Sequence, residues 1–258
     1  SSDLLDFVTR IFVQPGDNIV VSEHAFSLYV LTATAVSAEV REAPAKDFGH
    51  DLDAMAALVD ERTRLVFITN PNNPTGTWLT AQQIRRFLTA LPEHVMAVLD
   101  EAYFEYVDEA DYANGIDMLA DFPRLLVTRT FSKAYGLAAL RVGYGVSSVE
   151  LAELLNRVRP PFNVNAAAQA AAVAAVYAFF IASFVYKDMG PLSNREGEAK
   201  TPLLRKPYAL VTAFLLSDTK HTLFEAGKLS VKLLFVIANA LILKHVLTDE
   251  QVPRQIAN

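Results

Sequence analysis

The chain has 258 residues, 52% of them hydrophobic, enough for one large domain or two ordinary ones with a sizeable core. Its net charge of −6 argues against nucleic acid as the main partner, because phosphate backbones select basic surfaces. There is no cysteine, which excludes disulfides and thiolate metal sites, and the five histidines (24, 50, 94, 221 and 245) are too scattered to pair on a metal.

Ser1-Ser2-Asp3-Leu4-Leu5 has neither the basic nor the apolar region of a signal peptide. It reads as a helix start, with Ser2 or Asp3 as N-cap before Leu4, Leu5, Val8 and Ile11. Opening inside an element, the sequence is expected to have lost residues upstream. Strands are then expected over 18–21, 38–43, 65–69, 95–100, 124–128 and 141–146. Helices alternate with them over 25–34, 51–59 (N-cap Asp51) and 80–90 (N-cap Thr80), and a further helix follows over 151–158. Short apolar runs alternating with amphipathic helices indicate an α/β fold: three layers, with a mostly parallel sheet flanked by helices. Such folds bind ligands beyond the C-terminal ends of their strands. Asn73, Asp100 and Lys133 each fall just there.

Residues 160–186 carry no charge, residues 187–207 are turn-rich, and apolar blocks follow at 208–216 and 229–243. The uncharged stretch exceeds the roughly 18 residues of a membrane-span candidate. Its polar Asn163, Asn165 and Gln169 favour a buried helix instead. Two domains are expected, 1–160 and a helical C-terminal segment, 161–258.

Three segments carry chemistry. In Thr130-Phe131-Ser132-Lys133-Ala134-Tyr135-Gly136-Leu137, with Arg141 beyond, a lysine in a water-poor crevice can lose its proton and condense with an aldehyde. The neighbouring hydroxyl and guanidinium suit a phosphate. Asn70-Pro71-Asn72-Asn73-Pro74-Thr75-Gly76 is a rigid turn that fixes Asn73 at its tip, or an ordinary Pro/Gly turn. Asp100, ending an apolar strand, must be paired, exposed at a site, or used as a helix cap, since burying a lone charge is costly.

Together these segments resemble the fold type I aminotransferases that depend on pyridoxal 5'-phosphate (PLP), and among them the histidinol-phosphate aminotransferases. The resemblance rests on 70–76, on Asp100-Glu101-Ala102-Tyr103-Phe104-Glu105-Tyr106, and on 128–144, and it runs from Ser1 to about Val176. It implies the large PLP-binding domain of that family over 1–160. Lys133 would hold the cofactor aldehyde as a Schiff base and shuttle the proton. Asp100 would pair with the pyridine nitrogen, and Asn73 and Tyr103 would hold the 3-oxygen. Ser132, Arg141 and Thr130 would bind the phosphate, with Ser2 and Asp3 at a helix start. Tyr29 matches the aromatic that stacks on the ring, or is a core aromatic on a helix.

The implied reaction moves an amino group between L-histidinol phosphate and 2-oxoglutarate in histidine biosynthesis, in a cytoplasmic homodimer that needs no metal. Aromatic aminotransferases and threonine-phosphate decarboxylases share these motifs. The chain departs from the family at both ends. The N-terminal segment is absent, as is the glycine before Ser1. Arg195, Arg205 and Arg254 lie in surroundings unlike the family's substrate-binding arginines. A second expectation is therefore an incomplete homologue or composite chain, which keeps the PLP cradle, lacks substrate-binding parts and has a membrane-associated tail.

Overall fold

The computed structural model describes residues 2–180 apart from Ala113. Six strands form one sheet: β1 (Asn18–Ser22), β2 (Glu39–Ala43), β3 (Thr63–Thr69), β4 (Met96–Asp100), β5 (Leu125–Thr130) and β6 (Gly143–Val146). Their order is β2-β1-β3-β4-β5-β6, with only β6 antiparallel. The helices are α1 (Ser2–Phe12), α2 (Leu28–Ala35), α3 (Leu52–Ala57), α4 (Ala81–Ala90), α5 (Val149–Val158) and α6 (Ala166–Phe180).

Strand alternation divides the core into two layers. Val20, Val66, Ile68, Leu99 and Val127 pack with Met55 of α3 and with Ile84 and Phe87 of α4. Their chain neighbours Ile19, Val21, Leu65, Phe67, Val98 and Leu126 face the other way, onto Leu5 and Val8 of α1, Tyr29 of α2 and Leu151 of α5. Side chains of this size contribute about 1.5–3 kcal/mol each when fully buried. The central strands, apolar on both faces, are therefore sealed between two helical layers, the expected three-layer α/β arrangement.

Capping explains where α3 and α4 start. Asp51 accepts hydrogen bonds from the N–H groups of Asp53 and Ala54. Thr80 and Gln83 form a reciprocal capping box. Several boundaries differ from the expected ones, and three of them bear on the site. Helix α1 already includes Ser2, so Ser2 and Asp3 lie in its first turn and neither is its N-cap. Helix α2 begins at Leu28, because Ala25 is tied into a turn by its N–H bond to the Ser22 carbonyl. Strand β6 begins at Gly143, because Arg141 adopts a left-handed backbone (φ 53°) incompatible with extended pairing.

The chain divides after Asn163. The sheet and α1–α5 belong to the first unit; of the second, helix α6 is described. Among the described residues no helix is long and apolar enough to cross a membrane. The expected loop at 187–207, the apolar blocks at 208–216 and 229–243, and Arg195, Arg205 and Arg254 lie outside the described residues.

Candidate active site

Strands β3, β4 and β5 run parallel and end together, at Thr69, Asp100 and Thr130. All three residues line a cavity of about 240 Å³. The segments after these strands complete its wall. Asn73 enters from the 70–76 turn, Tyr103 from the segment after β4, and Ser132, Lys133 and Arg141 from the segment after β5. Ser2 and Asp3 present the N-terminal end of α1 to the same space.

Asp100 is 4% exposed. Its carboxylate accepts hydrogen bonds from the Tyr29 hydroxyl (2.9 Å) and from Thr128 Oγ1 (2.9 Å). Burial pushes the carboxyl above the usual carboxylate range, outweighing the opposite pull of these two donors. A buried acid held this way on a cavity wall favours a cationic or proton-bearing partner there.

The turn carrying Asn73 is braced on both sides. Asn70 donates its side-chain amide to the Leu79 carbonyl (3.2 Å) and accepts the Leu79 N–H (2.8 Å). The Asn72 amide donates to the His24 carbonyl and to Thr75 Oγ1, both at 2.9 Å. Asn73 itself is half-buried at the tip.

After β5 the chain turns tightly. Leu137 N–H donates to the Phe131 carbonyl (2.9 Å), and Gly136 supplies the positive φ (68°) that the turn requires. Thr130 Oγ1 accepts the Ser132 N–H (3.1 Å). Lys133 Nζ lies 5.0 Å from the centre of the Tyr103 ring. Lys133 was expected in a water-poor crevice; instead it is exposed, as is Arg141. The cavity mouth is open on that side.

Tyr29 is placed differently from its expected stacking position. Its ring is fully buried, stacked on Phe67 with centroids 4.5 Å apart, and it does not line the cavity. Phe26, three residues earlier, does line it, half-buried and edge-on to Tyr29. The sequence reading missed Phe26. The structure thus brings together Ser2, Asp3, Asn73, Asp100, Tyr103, Thr130, Ser132, Lys133 and Arg141, with Tyr29 behind them.

Sequence reasoning also missed a buried ion pair beside the site. Glu101 follows Asp100 and points to the opposite side of the strand. Arg129 meets it through Nη2 at 2.6 Å and Nε at 2.9 Å. Gly115 N–H donates to the other carboxylate oxygen at 2.8 Å, and the guanidinium lies 3.6 Å from the Phe104 ring centre. A second cavity, about 310 Å³, opens at the other end of the sheet around Leu91, Pro92, Phe122 and Arg124. It holds no lysine, and it is lined by the starts of β4 and β5, not by their C-terminal ends.

The sequence model of "Aminotransferase class I and II" matches residues 1–188. The chain belongs to this aminotransferase family. Residues 162–258 also match the model of "Tripartite ATP-independent periplasmic transporter, DctM component", overlapping the first match at its end. Over 176 residues the chain is 58% identical to histidinol-phosphate aminotransferase 2 of Pseudomonas fluorescens, covering 68% of this chain and 48% of that protein. It is 52% identical over 227 residues to histidinol-phosphate aminotransferase 1 of Cupriavidus pinatubonensis, covering 88% of this chain and 58% of the relative. Among solved structures it resembles histidinol-phosphate aminotransferase from Sinorhizobium meliloti in complex with pyridoxal-5'-phosphate. That likeness has a TM-score of 0.66 at 33% identity and covers 71% of this chain and 50% of the other. The chain spans about half the length of the curated relatives it matches.

Proposed function

We propose that this aminotransferase-family chain carries the PLP-binding part of a histidinol-phosphate aminotransferase, centred on residues 1–160. Its reaction would move an amino group between L-histidinol phosphate and 2-oxoglutarate, in histidine biosynthesis in the cytoplasm. The observation that carries this reading is that Lys133 and the buried Asp100 line one cavity, just beyond and at the ends of adjacent parallel strands. The high identity to histidinol-phosphate aminotransferases supports it.

The residues present fit the cofactor. Asp100, buried with two donors already on its oxygens, is suited to hold a protonated ring nitrogen. Asn73 and Tyr103 bring an amide and a phenol to the neighbouring side of the cavity. Thr130, Ser132 and Arg141, with the N-terminal end of α1, supply hydroxyls, a guanidinium and backbone N–H groups for a phosphate. When bound, PLP supplies the electron sink that stabilises negative charge on the substrate carbon. Lys133 supplies the amine that anchors the aldehyde and moves the proton at that carbon. Phe26, in place of Tyr29, offers an aromatic face to the ring. The exposure of Lys133 and Arg141 in a single chain supports a homodimer whose second copy covers the open mouth.

One observation favours a second reading. The transporter-component match over 162–258 supports a composite chain that joins the PLP cradle to a membrane-associated tail. The test is to add PLP to the full chain, reduce with borohydride and map the labelled residue. Label at Lys133, lost in Lys133→Ala, is expected; label elsewhere overturns the site. Asp100→Asn should keep some cofactor and lose most of the rate. Transamination of histidinol phosphate by the labelled-competent chain supports the first reading; label without transamination, and partitioning into detergent, supports the second.

A further inference from the structure

We propose that Tyr29 is a positioning residue for the cofactor, holding the Asp100 carboxylate at the angle and in the charged form with which it meets the ring nitrogen. The inference rests on the reading of Asp100 given above and goes one layer behind it.

The proton bookkeeping is fixed by geometry. An ionised carboxylate only accepts, so the 2.9 Å contact between Tyr29 and Asp100 Oδ2 uses the single tyrosine proton. The 2.8 Å contact between Tyr29 and Thr69 Oγ1 then has the threonine as donor. A one-way relay results: Thr69 to Tyr29 to Asp100. Thr128 donates independently to the other oxygen, Oδ1. Both carboxylate oxygens are thereby oriented by hydroxyls that come from different elements, α2 and β5.

The relay is rigid. The Tyr29 ring is fully buried, stacked on Phe67 and met edge-on by Phe26. It cannot swing away without opening the core between α2 and the sheet. Burial and the adjacent Asp100 charge hold its hydroxyl well above the ordinary tyrosine range, so it stays a donor. Phe26 and Tyr29 thus divide the work: Phe26 faces the cavity and Tyr29 supports the acid beneath it.

Tyr29→Phe removes one oxygen and leaves the ring packing. A hydrogen bond to a charged group is worth enough that the dissociation constant for PLP should rise about tenfold or more. The visible band of the bound cofactor should titrate at higher pH, because a less firmly protonated ring repels a proton at Lys133 less. Thr69→Val should move both readouts the same way by less, and it serves if Tyr29→Phe does not fold. Borohydride label should stay on Lys133 in both variants. If Tyr29→Phe only lowers the melting temperature of the cofactor-free chain, with affinity within about twofold and the titration unmoved, the hydroxyl is structural and the proposal fails. If the unaltered chain takes no label at Lys133, the reading of the site fails instead.

Discussion

The Glu101–Arg129 pair ties together the strand ends that carry the site, since Glu101 follows Asp100 and Arg129 precedes Thr130. The two side chains are 0% and 8% exposed. Burial pushes the Glu101 carboxyl up, and the Arg129 guanidinium only partly offsets this. Arg129→Met keeps the length and apolar stem but removes the charge. It leaves Glu101 with the Gly115 N–H as its remaining close donor, at a cost of about 3–5 kcal/mol, the usual loss when one member of a buried pair is removed. Glu101→Leu with Arg129→Met removes both charges. The remaining penalty is the orphaned Gly115 N–H, about 1–3 kcal/mol, since Asn114 Oδ1 keeps its bond from the Ile116 N–H. The double variant should therefore be more stable than Arg129→Met alone. Denaturant unfolding of the full chain at neutral pH measures both. A loss below about 1 kcal/mol for Arg129→Met, or a double variant as costly as its two singles summed, would refute the claim that the pair is a buried, mutually dependent unit.

Two further outcomes follow from the same layers. A Cβ at Gly115 would lie 2.6 Å from Leu99 Cδ2 and 2.9 Å from Glu101 Oε1. Gly115→Ala should thus destabilise by about 1–3 kcal/mol through overpacking, and an unchanged thermal melt would contradict this. His50 is buried and its ring is held below its ordinary value of about 6.5 by desolvation, against a smaller opposing pull from the Thr69 backbone. Below that value the unfolded chain binds a proton that the folded chain refuses. Stability from this group is therefore complete above about 6.5 and is lost as the pH falls towards the lowered folded value. Unfolding measured across that window should show a shallower pH slope in His50→Gln than in the parent; equal slopes would exclude His50 as the cause.

The fold was legible where periodicity and capping chemistry are strong. The apolar runs at 65–69 and 95–100 and the caps Asp51 and Thr80 appear where the pattern places them. The errors lie where a local hydrogen bond or dihedral overrides the pattern. The apolar content of 25–34 suggested a helix from its first residue, yet the Ala25 turn delays α2 to Leu28. The run from 141 read as a strand, yet the left-handed Arg141 breaks it before Gly143. Neither feature leaves a signal in hydrophobic spacing.

The candidate site was legible because its residues sit in short contiguous motifs that follow strands, and parallel strands deliver their ends to one place. Its supporting layer was not, because support comes from residues distant in sequence: Tyr29 reaches Asp100 across 71 positions, and Arg129 reaches Glu101 across 28. The exchange of Phe26 and Tyr29 shows what could have been read. The two aromatics are three residues apart in a run expected to be helical, so periodicity does not separate them. Chemistry does: a buried tyrosine hydroxyl must find a polar partner. Its partners are Thr69 Oγ1 at 2.8 Å and, at 2.9 Å, the acid that the site itself requires, whereas a phenylalanine makes no such demand and can face the cavity. The tyrosine therefore goes behind Asp100 and the phenylalanine in front, as the structure has them.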